Sequence, residues 1–181
     1  TTVIPHQIVN SYCEGEIFFS EIYDSRGGDY GIIELYNPTD NPINLGAYRV
    51  LRYGDIGAGS PSYDTALSGT IAPNSTFQIQ YGSYGNTCSG FPVFSGPSGF
   101  NANDEFELLK NGAVIDNVHA PNIVGYTIIR RPDAEAPKVI YNAADWNLNV
   151  TDPGCSNISF HTINPKNPPQ VLQVTAHANP C

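Results

Sequence analysis

Apolar and polar residues alternate with a period of two through most of the chain, in short runs separated by Gly, Pro, Asn and Ser. Such alternation puts successive side chains on opposite faces of a strand. The first run is 16–23, Glu16-Ile-Phe-Phe-Ser-Glu-Ile-Tyr23. The turn Ser25-Arg-Gly-Gly-Asp29 joins it to 30–36, and the two read as a hairpin. Asn37-Pro-Thr-Asp-Asn-Pro42 cannot continue a central strand, because its prolines lack the ladder donor. Further strands are expected at 47–53, 67–71, 76–81, 125–131 and 138–141. Residues 54–64 and 82–103 read as long irregular loops. The sharpest local signal is 105–109, then Lys110-Asn-Gly112, then 113–118. Asn-Gly accepts the positive φ angles of a tight hairpin turn. No long stretch shows the i, i+3, i+4, i+7 spacing of an amphipathic helix. Residues 16–162 are therefore expected to form two packed antiparallel sheets.

The flanks read differently. Residues 1–15 look like an extended lead-in. Residues 163–170, with Asn164-Pro-Lys-Asn-Pro-Pro169, look like a stiff linker. Residues 171–181 alternate again, as the first strand of a following module cut short would. The chain contains no Met and opens without an export signal, so the expectation is that Thr1 follows a removed one. Nothing approaches the roughly 20 apolar residues of a membrane helix.

Composition narrows the functional classes. Net charge is −9 and the eight Lys and Arg are scattered, so no basic footprint for nucleic acid exists. The cysteines, Cys13, Cys88, Cys155 and Cys181, form no C-x-x-C pair, which argues against tetrahedral zinc and for an oxidising compartment. Cys88–Cys155 is the favoured disulfide, tying a long loop to the chain after the last strand. Cys13–Cys155 is next, and Cys181 is assigned to the following module.

No constellation for catalysis is legible. The nucleophile elbow G-x-S-x-G is missing, and Gly96-Pro-Ser-Gly99 is only a fragment of it. Gly54, Gly57 and Gly59 lack the phosphate-loop pattern and any following helix. His6, His119, His161 and His177 are far apart in sequence. Glu105 and Glu107 share a strand face that reads as solvated. Glu34 alternates with Ile33 and Leu35 beside Ile32, so it is expected as a partly buried carboxylate needing a backbone or arginine partner, with Arg130 or Arg131 as candidates. Trp146 is expected as a core anchor near the end of the sandwich. No cofactor is called for. Asp24, Asp29, Asp55 and Asp64 are loop oxygens of the kind calcium takes, but without the spacing of a dedicated calcium loop.

Several motifs, in order, resemble lamin tail domains. Ile17-Phe-Phe-Ser-Glu-Ile22 and Ile33-Glu-Leu-Tyr-Asn-Pro-Thr39 resemble the opening hairpin. Asn44-Leu-Gly-Ala-Tyr48 and Leu67-Ser-Gly-Thr-Ile-Ala-Pro73 resemble the steps that follow. Phe100-Asn-Ala-Asn-Asp-Glu-Phe-Glu-Leu-Leu-Lys-Asn-Gly112 with Val114-Ile-Asp116 resembles the central hairpin, and Tyr126-Thr-Ile-Ile-Arg-Arg131 with Trp146 the closing pattern. Cys155-Ser-Asn-Ile-Ser-Phe-His161 looks like the secreted Bacteroidetes versions. Ala102 and Asn117-Val-His119 depart from the pattern, where glycine is common. The resemblance covers roughly 16–162 and implies an immunoglobulin-like β-sandwich without catalytic residues of its own. It also implies carriage on exported bacterial nucleases, phosphatases or large surface adhesins. Asp64-Thr-Ala66 looks like the O-glycosylation acceptor of Bacteroidetes, with Thr65 as acceptor. Asn74-Ser-Thr76, Asn149-Val-Thr151 and Asn157-Ile-Ser159 fit the N-glycan pattern.

Three functions follow. The first is a secreted adhesion module at the outer end of a large surface protein of the gliding-adhesin kind. Its loops would present Tyr63, Tyr81, Tyr84 and Phe91 to a polysaccharide, a protein or another extracellular surface, with repeat modules of the same chain following it. The second is an accessory domain of an exported nuclease or other hydrolase. The third is a structural cap or spacer of a repeat filament.

Overall fold

A computed structural model describes residues 15–26, 30–82, 93–95, 99, 101–150 and 157–161. Twelve strands run through them: β1 Phe18–Asp24, β2 Tyr30–Asn37, β3 Ile43–Asn44, β4 Tyr48–Tyr53, β5 Tyr63–Ala66, β6 Thr70–Ile71, β7 Ser75–Gly82, β8 Val93–Ser95, β9 Glu105–Lys110, β10 Ala113–His119, β11 Tyr126–Arg130 and β12 Trp146–Asn149. Helix is limited to two 3-10 turns among the described residues, each capped by an asparagine side chain: Asn44 accepts from Gly46 N, and Asn142 from Ala144 N.

Two sheets pack face to face. The larger has the order β12-β11-β1-β2-β7-β8 and the smaller β10-β9-β4-β5, with β3 and β6 forming a separate two-stranded ribbon. All pairings are antiparallel except β7 with β8. This is an immunoglobulin-like β-sandwich: the alternation predicted two packed antiparallel sheets, and the resemblance implied their immunoglobulin-like type. Its core joins Phe19, Ile22, Ile33, Leu35, Ile79 and Tyr81 of the larger sheet to Tyr48, Val50, Phe106, Leu108 and Val118 of the smaller. A fully buried side chain of this size contributes about 1.5–3 kcal/mol through removal of apolar surface from water.

The 105–118 hairpin turns at Asn111 and Gly112, whose φ values of 51° and 82° are both positive, the geometry that Asn-Gly favours. Elsewhere the expected elements shift. Residues 67–71 do not form one strand. Gly69 takes a φ of 98°, which breaks the extension and leaves only Thr70 and Ile71 to pair with β3. The long loop at 54–64 ends early, because Tyr63 and Asp64 already belong to β5, paired with β4. Within 82–103, Val93–Ser95 forms the parallel strand against β7. Residues 138–141 form no strand. The backbone there is drawn onto β10, where Lys138 N donates to Asp116 and Asn117 N donates to Lys138 O, and Val139 and Ile140 stand exposed. The closing strand is β12, begun by Trp146.

The two sheets differ on their outer faces. In β4 burial alternates residue by residue, as expected of a sheet with one wet face. In β1 and β2 every residue is buried. Residues 157–161 return across the outer face of the larger sheet. Ile158 packs with Tyr23, Tyr30 and Ile32, and His161 lies against the rings of Phe18 and Tyr36.

Candidate functional site

The polar residues inside the sandwich are held by one another. Arg130, on β11, is buried and donates to Phe19 O (2.7 Å), Ala136 O (3.2 Å) and Asp116 Oδ2 (2.6 Å). Its guanidinium lies over the Trp146 ring (4.5 Å) and the Phe18 ring (5.1 Å). Asp116, on β10, also accepts from Phe19 N (2.9 Å) and Lys138 N (2.8 Å). Burial pushes the Asp116 carboxyl up, against the pull of Arg130 and the two amides. One ion pair thus ties β11, the first strand and the central hairpin together. A second buried pair, Arg52 with Asp104 (2.9 Å), anchors the loop before β9, where Asp104 also accepts from Asn101 N. These charges are bound up in structure and are not presented to a ligand.

The open surface lies beside β12. A groove of about 410 Å³ is lined by Ile56, His119, Pro121, Tyr141, Trp146 and Leu148. His119 stacks on Tyr141 with ring centroids 4.5 Å apart, and its Nε2 lies 3.5 Å from Glu105 Oε1. Burial raises the Glu105 carboxyl, but hydrogen bonds from Gly57 N, Asn117 and His119 outweigh it and hold it below the usual range. A neighbouring hollow of about 590 Å³ is lined by Arg26, Ile123, Val124 and Val150. Leu148 is 53% exposed, and Ile140 beyond the groove is 78% exposed. Apolar side chains concentrated in this way, with a few polar tips, are the chemistry of a contact surface.

The residues singled out from the sequence are not brought together. Trp146 is buried under Arg130 as a core anchor. Glu34 is wholly buried, but no arginine reaches it among the described residues. It accepts from Ser20 Oγ (2.7 Å), Gln78 Nε2 (3.2 Å) and Ser159 N (2.6 Å). Arg131 lies on the surface with Asp133, because alternation on β11 turns Arg130 inward instead. Tyr81 is not presented by a loop. It is a core residue of β7 whose hydroxyl donates to Thr65 Oγ1 (3.2 Å). Thr65 accordingly lies on the edge strand β5, not in a loop, with its hydroxyl turned inward. Tyr63 is half-buried, with the Arg52 guanidinium 5.4 Å above its ring. Asp24 accepts from Gly125 N, Asp55 from Asn103 and Asp64 from Arg49, so these oxygens do not converge. No group of three or more His, Cys, Asp or Glu is placed to hold a metal among the described residues. Tyr84, Phe91, Asp29 and the four cysteines, with the Cys88–Cys155 and Cys13–Cys155 pairings, lie outside the described residues.

Sequence reasoning missed Glu21 and His161. Glu21 is 1% exposed on the outer face of β1, and neither carboxylate oxygen has a hydrogen-bond partner among the described residues. Burial first, and Glu34 opposite it second, push its carboxyl up to about 8. His161 is buried with Nε2 unpartnered. Burial and then Arg130 bring its imidazole down to about 4. The signal was faint: a polar residue inside the run of apolar residues in β1, and an isolated histidine.

The class is therefore an all-β, two-sheet module whose buried charges hold it together and whose open surface is apolar. The family model of the lamin tail domain matches residues 10–122, more than half of the chain, and the protein belongs to that family. No curated protein matches it.

Proposed function

We propose that this chain is a non-catalytic extracellular contact module, secreted and displayed by a large bacterial surface protein, and that it serves adhesion. The observation that carries the reading is the apolar groove beside β12, with His119 stacked on Tyr141 and Leu148 standing out of it. An aromatic floor with polar tips suits a polysaccharide or a protein loop, since it offers apolar area and orienting hydrogen bonds together. The net charge of −9 and the scattered Lys and Arg support a partner other than nucleic acid. No helix among the described residues is long and apolar enough to cross a membrane. The lamin-tail membership supports a parent of the gliding-adhesin kind in Bacteroidetes, with further repeat modules beside this one. The structure lends Thr65 little support as a glycan acceptor, because Tyr81 holds its hydroxyl inward.

Two experiments test this. Residues 1–163 are deleted from the parent gene and attachment of cells to glass and to polysaccharide is measured. Normal display with unchanged adhesion and movement would refute the adhesive role and favour the capping reading. In the purified chain, Tyr141→Ala with Leu148→Ser is expected to abolish retention on the same surfaces without unfolding the sandwich.

A further inference from the structure

The outer face of the larger sheet holds an arrangement that a contact module does not require. Glu21 on β1 and Glu34 on β2 are cross-strand partners in the register, so their side chains lie side by side on one face. Both are buried, at 1% and 0% exposure, and residues 157–161 reach the pair at Glu34 through the Ser159 amide. Glu34 receives three donors: Ser20 Oγ, Gln78 Nε2 and the Ser159 amide. Glu21 receives none. Ser159 reaches Glu34 with a φ of 75°, a left-handed conformation that serine rarely adopts. The segment is held there by the carboxylate rather than by its own preference. His161 inserts at the other end of the segment, between Phe18 and Tyr36.

We propose that residues 157–161 form a strap latched over the larger sheet by a carboxyl pair that carries one proton, and that losing this proton releases the strap. Burial raises the Glu34 carboxyl too, but its donors oppose that and Glu21 has none among the described residues, so Glu34 is the member that ionises first. Glu21 is the protonated member, because a second bare carboxylate on this dry face would have neither a partner nor water. The donors that fill Glu34 also explain why a proton fits better than a metal ion, which would have to displace them. Ser20, Ile129, Thr127, Gln78 and the strap itself bring no further charge to Glu21 from the elements packed around it, so Glu34 is its only charged neighbour among the described residues. At the other end, His161 faces two aromatic rings and the like charge of Arg130, and it stays neutral in the closed strap.

The pH dependence has a definite shape. Glu21 moves from the ordinary 4.5 to about 8 on closure, so closure weakens as pH rises from 4.5 to 8. His161 moves from 6.5 to about 4, so closure weakens as pH falls from 6.5 to 4. Between 4.5 and 6.5 the two slopes cancel, and the strap is most firmly closed there. An uncompensated group changes the closing equilibrium by at most about tenfold per pH unit, and with Glu21 half ionised near pH 8 and His161 still offsetting part of the loss near 6.5, closure falls roughly tenfold between pH 6.5 and 8.

Amide hydrogen exchange at Ser159 and His161 in the full 181-residue chain tests this, with protection factors corrected for intrinsic exchange and compared with those of β4. Strap protection is expected to change little from pH 4.5 to 6.5 and to fall roughly tenfold by pH 8, while β4 stays protected. In Glu21→Gln the alkaline fall should vanish. Carboxyl carbon titration of Glu21 in the unaltered chain gives the same answer without a variant, with a midpoint near 8 expected. Flat protection through pH 8, an alkaline fall that survives in Glu21→Gln, or a Glu21 midpoint near 4.5 overturns the proposal. So does strap protection that tracks added calcium or chelator instead of pH.

Discussion

The two sheets of this sandwich solve the same packing problem in different surroundings. The smaller sheet buries one face and leaves Arg49, Leu51, Tyr53, Glu105 and Glu107 half-buried on the other. Its outer polar groups find ordinary surface partners, such as Tyr53 Oη to Glu107 Oε2 at 2.8 Å. The larger sheet buries both faces of β1 and β2, and its outer face therefore holds Glu21 and Glu34 away from water. A carboxylate on the outer face of the smaller sheet, such as Glu107, keeps its contact with water. The same group on the larger sheet must be protonated or fully hydrogen-bonded. The comparison shows that a residue's chemistry here depends less on its strand than on what lies over it.

The largest expected effect breaks the link between the sheets. Asp116→Ala leaves Arg130 buried without its carboxylate and should cost about 3–5 kcal/mol, measured by urea unfolding. A cost below about 1 kcal/mol would show that the ion pair does not join them. Next comes a direct contrast of outer faces. Ile32→Ala on the larger sheet should cost about 2–5 kcal/mol, because Ile32 is sealed beneath Ile158. Leu51→Ala on the smaller sheet should stay within about 1 kcal/mol. Equal costs would erase the distinction.

A smaller effect carries a sign. Glu21→Gln should raise stability at pH 8 by an amount on the order of 1–3 kcal/mol and leave it unchanged below pH 4.5, where the native carboxyl is protonated in both folded and unfolded chains. A destabilised variant at pH 8 would mean that Glu21 has a partner. The least effect belongs to the exposed Arg49–Asp64 pair: Arg49→Ala should leave the melting temperature within error at physiological salt.

Legibility followed the same division. In β4 and β9 the period of two was clean, and the Asn111-Gly112 turn was read correctly because its requirement is local. Glu34 could be recognised as buried, since it stands among isoleucines, but its partners could not. They come from β1, β7 and residue 159, which are far apart in the chain. Choosing between Arg130 and Arg131 as the inward arginine required the phase of β11, and a strand's phase is set by its neighbours. Tyr81 was placed on a loop for a similar reason: aromatic residues at a strand end read alike whether they cap a core or face a partner.

The resemblance of its motifs pointed to a lamin-tail sandwich, and by itself the sequence determined that the chain would make short antiparallel strands and where its tightest hairpin would turn. These follow from side-chain period, turn chemistry and residue type, which act over a few neighbours. Tertiary structure alone decided that residues 138–141 would serve Asp116 instead of forming a strand. It also decided that Arg130 would clasp the two sheets, and that residues 157–161 would fold back onto Ile32 and Glu34. Burial on a second face depends on what chain returns to cover it, and no local pattern encodes that.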